Sequence, residues 1–141
     1  TAFDPVFGVS DPAQVYPKDR KPDGALRRVR NGRSRALLGE RIVLATGVRS
    51  RLRGLLGRSG LADGEGLWLE PCSSIHMFFM RFAIDVVFVD RTGTVVSCAQ
   101  NVAPWRIASG GRRARAALEL PAGRVAGSDT RVGDVLEIVA E

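Results

Sequence analysis

Histidine is almost missing from this chain of 141 residues: His76 stands alone, beside two cysteines (Cys72 and Cys98), two lysines and one tyrosine. A single histidine excludes a two-histidine blue-copper centre, and neither Cys-x-x-Cys nor His-x-x-x-His spacing is present for zinc. Two cysteines make no disulfide framework. In apolar surroundings each is expected as a small hydrophobic side chain rather than as half of a bridge. Long apolar runs are lacking too, none approaching the roughly 20 residues that a membrane-spanning helix needs. No transmembrane segment, metal or cofactor is therefore predicted. The chain opens on Thr1, not Met, so any targeting segment is beyond reach and the compartment stays open between cytoplasmic and exported.

What is present is an ordinary globular mixture, 45% hydrophobic and 26% charged, enough to bury a core without disulfide or metal staples. The charge is lopsided. Lys18, Arg20, Lys21, Arg27, Arg28, Arg30, Arg33 and Arg35 face only Asp19 and Asp23 within residues 18–35, so this window holds the whole net charge of +6. A basic segment of this kind can meet nucleic acid, an anionic surface or an acidic partner. It lacks the aromatic side chains that stack on bases, so a solvated arm is the favoured reading and nucleic-acid or anionic-surface contact the alternative. Pro5, Pro12, Pro17 and Pro22 lie in the same stretch, and few apolar residues follow Phe7. These features predict a flexible Pro/Arg-rich arm over 1–32 and one globular domain over 33–141.

Periodicity within that domain favours strands. Residues 41–45 are rich in β-branched side chains, as a strand requires. Thr46 then offers an N-cap for a helix whose Val48, Leu52, Leu55 and Leu56 share one face, ended by Gly57 and Gly60. Residues 66–70 form a second strand closed by Pro71. From Phe82 to Val89 both faces are apolar apart from Asp85, the pattern of an interior strand. Asp90 to Gly93 supplies turn chemistry and Thr94 to Cys98 returns, which predicts a β-hairpin. Ala116 to Leu120 and Val135 to Val139 complete about six short strands with one main helix. The expected fold is a β-rich α+β domain, a small barrel or a curled mixed sheet.

A series of segments carries a resemblance. Arg53-Gly54-Leu55-Leu56-Gly57-Arg58, Cys72 to His76 and Phe79 to Asp90 are followed by Pro104-Trp105-Arg106, Leu118 to Gly123 and Gly133-Asp134. This order resembles the small prokaryotic family catalogued as domain of unknown function 192, over about residues 40–139. Ala83 stands where that family usually has proline, and Leu56 where methionine is more usual. The resemblance implies a compact β-rich fold and supplies no activity.

Three groups of residues bear on chemistry. Cys72, His76 and Met80 recur every four positions and return to one side in either a helix or a strand. Such a soft set suits Cu(I), and a zinc site would have to recruit Cys98 and Asp85. The second group makes Cys72 a nucleophile with His76 as base and Asp85 orienting the imidazole, the plan of a thiol-dependent hydrolase or transferase. No glycine-rich oxyanion segment follows Cys72. The third starts from Asp85, whose carboxylate inside an apolar strand must find donors or lose its charge. Arg81 and Arg106 are its candidate partners, with Trp105 stacking on either guanidinium. A groove of His76, Arg81, Asp85, Trp105 and Arg106 would recognise a small anionic ligand or a protein partner. The plainer reading packs Cys72 and His76 at the core edge and makes the buried Asp–Arg pair structural. The leading expectation is a non-catalytic binding or accessory module, with the thiol enzyme as alternative.

Overall fold

The run Ile84–Val89 is buried at every position, and the rest of the chain is arranged to cover it. The computed structural model describes residues 21–139. Within them lie the strands β1 (Leu26–Asn31), β2 (Leu37–Ala45), β3 (Glu65–Leu69), β4 (Ser74–His76), β5 (Ile84–Val89), β6 (Val95–Val102), β7 (Ile107–Ser109), β8 (Ala116–Pro121) and β9 (Leu136–Val139). Two short helices, α1 (Val48–Arg53) and α2 (Arg124–Gly127), join them. Seven strands form one sheet in the order β6-β5-β8-β3-β2-β1-β9, while β4 and β7 pair as a separate ribbon. Only β2 and β3 run parallel.

The large sheet curls until its two ends meet. Thr94 bridges Val135, and Leu136 N–H donates to Gly93 O at 2.9 Å while Val95 N–H donates to Asp134 O at 2.7 Å. These bonds join the start of β6 to the start of β9 and satisfy edge groups that an open sheet would expose. The concave side holds a core drawn from all seven strands, with Trp68, Leu38, Ile42, Leu118 and Leu136 fully buried. A second core lies on the other side, where Ile84, Val86 and Phe88 of β5 meet Leu55, Ile75, Met77, Met80 and Ala108. Strand alternation explains the division: Val87 and Val89 belong to the first core and their neighbours to the second. The β-rich α+β class, the curled half-barrel-like sheet and the β5–β6 hairpin agree with the sequence expectation.

Other expectations need correction. Among the described residues there are nine strands rather than six, because β1 and the three-residue strands β4 and β7 carry no long alternating pattern. The domain begins before residue 33: Leu26–Asn31 pairs with both β2 and β9. Residues 1–20 of the expected arm lie outside the described residues. Three basic groups of the window are tied to the fold, Lys21 to Glu70, Arg30 to Glu137 and Arg33 to Asp134. The helix is shorter than its periodicity suggests, ending at Gly54 with φ 47°. Its N-cap is Gly47 rather than Thr46, and Thr46 Oγ1 donates instead to Lys21 O. No helix among the described residues is long and apolar enough to cross a membrane.

Asp85 shows how the curl is pinned. It faces the concave core with no exposure, and no ion pair reaches it among the described residues. Three backbone N–H groups replace the expected guanidinium: Asn101 donates to Oδ1 at 2.8 Å, Gly123 and Val125 to Oδ2 at 3.0 and 2.9 Å. The first comes from a bulge, since the register steps from Ile84–Val102 to Val86–Ala99 and leaves one extra residue on β6. The other two are orphan donors at the start of α2, whose N-cap Gly123 has no side chain to cap with. One carboxylate thus ties a bulge and a helix to the central strand. Asp85→Asn turns an amide NH2 towards at least one of these N–H groups. The expected loss is about 2–4 kcal/mol, read as a lower urea midpoint at unchanged slope; a loss below about 0.5 kcal/mol would contradict this role.

Candidate functional site

The second core is not closed. Between α1 with the residues that follow it, the loop after β3 and the β4–β7 ribbon lies a cavity of about 330 Å³. Leu55, Leu56, Leu69, Ile75, Met77 and Met80 make its apolar walls, and Arg51, Cys72, Ser73, Ser74, His76 and Glu119 its polar lining. The ribbon spans the gap because Ile75 and Ala108, paired across it, are both buried while their strand neighbours are exposed.

Glu119 comes from the middle of β8, opposite Leu67 of β3 and Val86 of β5. Both of these opposite neighbours are apolar and offer its carboxyl no side-chain donor. The residue is 7% exposed and Oε1 has no hydrogen-bond partner among the described residues. Burial pushes its pKa up to about 7. Arg51 brings a second orphan: its Nη1 donates to Pro71 O at 3.1 Å, but its buried Nε has no partner among the described residues. Cys72 senses both groups. Burial, first of all, raises its thiol; a backbone hydrogen bond with Ser74 lowers it, Glu119 adds to the rise, and the Arg51 charge opposes it. The thiol donates to Ser74 O at 3.2 Å.

At the rim stands an aromatic row. His76 stacks on Phe78 at 4.8 Å between centroids, Phe78 reaches Trp105 at 5.8 Å, and Trp105 reaches Phe79 at 4.7 Å. Phe79 and Trp105 are 73% and 57% exposed. Each sits in the third place of a turn, closed by Met80 N–H to Met77 O and by Arg106 N–H to Ala103 O. Their φ angles are 65° and 71°, a conformation that turns usually assign to glycine. Met77 O also accepts from Trp105 N–H at 2.7 Å and so locks the two turns together.

The sequence candidates are thus divided. Cys72 and His76 line one cavity, yet no hydrogen bond joins them among the described residues. His76 and Trp105 belong to one aromatic row through Phe78. Arg81 and Arg106 are exposed, and Asp85 is on the concave side of the sheet, so the expected five-residue groove is not assembled. Among the described residues no three His, Cys, Asp or Glu side chains converge as a metal site. Both cysteines carry free thiols. Arg51 and Glu119 were missed. The signal for Glu119 was the one used for Asp85, a carboxylate inside an apolar strand, but alternation with Leu118 and Leu120 makes it read as a solvent-facing residue.

The family model described as DUF192, uncharacterized ACR, matches residues 30–138. The chain belongs to the DUF192 family. Its curated relatives include UPF0127 proteins of two archaea. The one from Thermococcus sibiricus is 37% identical over 67 residues, 46% of this chain and 42% of the relative. The one from Pyrococcus abyssi is 38% identical over 65 residues, 46% of this chain and 55% of the relative. The chain therefore spans about half the length of the curated relatives it matches. Two solved structures share the DUF192 fold. A candidate transcription regulator from Sinorhizobium meliloti superposes with a TM-score of 0.73 at 25% identity, over 84% of this chain and 98% of that one. A protein of unknown function from Novosphingobium aromaticivorans gives 0.70 at 24% identity, over 92% and 98%.

In this DUF192 member the Glu119 carboxyl has a measurable consequence for stability. Between pH 4.5, its ordinary value, and about 7 the unfolded chain ionises this group while the folded chain keeps its proton. Folding therefore takes up a proton, and stability falls as pH rises through that window, by about 3 kcal/mol. Glu119→Leu is expected to remove this slope and to unfold at a higher urea concentration than the parent at pH 8. A variant less stable at pH 8 would mean that Glu119 has a structural partner.

Proposed function

We propose that this domain is a non-catalytic binding module that takes a small, largely apolar molecule into the Glu119 cavity. The observation that carries this reading is a pair of buried polar atoms without partners among the described residues, Glu119 Oε1 and Arg51 Nε, on two residues that line one apolar hollow. Buried polar groups are nearly always satisfied, and each exception asks for an explanation. A ligand with complementary polar atoms supplies one. Apolar walls with a few convergent polar groups are also the usual make-up of a small-molecule site. The aromatic row gives a second, weaker support. Two exposed aromatics in left-handed backbone each cost about 1 kcal/mol or more, and such strain clusters where function needs it. That row also favours a protein partner seated at the rim, which is the second reading.

Thiol catalysis is less well supported. A nucleophilic cysteine needs its thiolate, whereas burial raises the Cys72 thiol and disfavours that form. At pH 7 iodoacetamide is expected to modify Cys72 at least about tenfold more slowly than a cysteine in an unstructured peptide, followed by peptide mass spectrometry. Modification as fast as the peptide, or faster, would restore the enzyme reading. Binding itself is tested with hexan-1-ol, a neutral probe, by amide NMR shifts. Saturable shifts at Cys72 to Met77 and at Glu119 are expected. Shifts confined to the shallow groove between Asp90 and Gly133, or none at millimolar probe, would overturn the proposed site.

A further inference from the structure

Arg51 and Glu119 line the cavity from different elements, and their chemistry restricts what fits between them. The Arg51 guanidinium offers only donors, and the bond from Nη1 to Pro71 O holds it in place. Glu119, among apolar neighbours of β3, β5 and β8, favours its neutral form, whose O–H is a second donor. Two donors, one of them cationic, are complemented by two acceptor oxygens that carry a negative charge. Resting on the binding reading above, we infer that the cavity is a site for a small apolar carboxylic acid. Its carboxylate faces the Arg51 guanidinium and shares a proton with the Glu119 carboxyl, while its hydrocarbon end lies against Leu55, Leu69, Ile75 and Met77.

Other head groups fit less well. An amine requires ionised Glu119 and sets its ammonium in a cavity already lined by Arg51. A neutral amide leaves the guanidinium without a counter-ion. Glu119, Arg51, Cys72 and His76 are the titratable groups facing the cavity. The Cys72 thiol keeps its proton and adds no charge, and His76 stands at the exposed rim. The hollow of about 330 Å³ has room for about ten water-sized groups at roughly 30 Å³ each.

Three probes of equal length test the assignment on the full chain: hexanoate, hexanamide and hexylamine, each titrated calorimetrically and by amide NMR. Hexanoate is expected to bind with shifts at Cys72 to Met77 and Glu119, and to take up close to one proton at pH 8 and almost none at pH 6. Because it selects protonated Glu119, its affinity should fall about tenfold from pH 6 to pH 8. Glu119→Gln keeps a donor and should retain hexanoate binding without the pH dependence. Glu119→Leu, which replaces the buried acid by hydrocarbon, should lose at least about tenfold. Hexylamine or hexanamide binding in the cavity as tightly as hexanoate, or hexanoate binding that strengthens with pH, overturns the carboxylate assignment and leaves the binding module standing. If hexan-1-ol shifts the cavity residues and hexanoate does not, the assignment again fails alone. No saturable shift with any of the four overturns both.

Discussion

A carboxyl group carried into a β-sheet must be met by donors or hold its proton, and this domain contains both outcomes side by side. Asp85 and Glu119 lie on adjacent paired strands, one opposite Leu120 and the other opposite Val86. Strand alternation sends them to opposite faces. On the concave face three backbone N–H groups converge on Asp85, and a bulge and a helix start are fixed by it. On the other face Glu119 lies between Leu67 and Val86, and its Oε1 has no partner among the described residues. The first carboxyl ties the β6 bulge and the start of α2 to the central strand. The second explains why the outer core has a hollow rather than a packed floor, since a well-packed apolar cover over an unpaired carboxyl gives it neither water nor a donor.

The cover over that hollow has its own logic. The β4–β7 ribbon buries only alternate residues, Ile75 and Ala108, and turns Ser74, His76, Ile107 and Ser109 outward. Its two flanking turns share one acceptor, Met77 O, which holds them in a fixed relation. Phe79 and Trp105 occupy positions in those turns where glycine would be comfortable. A rigid frame that displays large aromatic side chains, beside a cavity with unsatisfied polar atoms, is what a recognition surface needs, and neither feature helps folding. Stability is given up at two neighbouring places, which fits a domain kept for what it binds.

Much of the fold was legible in the sequence because its longest strands carry strong patterns. Residues 84–89 alternate between two apolar faces, and turn chemistry at Asp90 to Gly93 announces the β5–β6 hairpin. The strands β4 and β7 were not legible, since three residues are too few to show a period. The early strand β1 was masked by arginines at Arg27, Arg28 and Arg30, which suggested an arm; only Val29 and Asn31 of that strand are buried. The site was legible in part. Cys72 and His76 do meet one cavity, and Asp85 does find donors, but backbone N–H groups leave no trace in side-chain identity. Arg51 and Glu119 come from segments 68 residues apart in number, and nothing local marks them as neighbours.

The proposed site depends on a Glu119 carboxyl that is buried without a donor among the described residues. The most direct measurement is its own titration, followed through the side-chain carboxyl carbon by NMR in the free protein. A midpoint of about 7 is expected, well above the ordinary value of 4.5. A midpoint at or below 4.5 would show that the carboxylate is solvated or paired, and the cavity would then hold no unsatisfied acid for a ligand to meet.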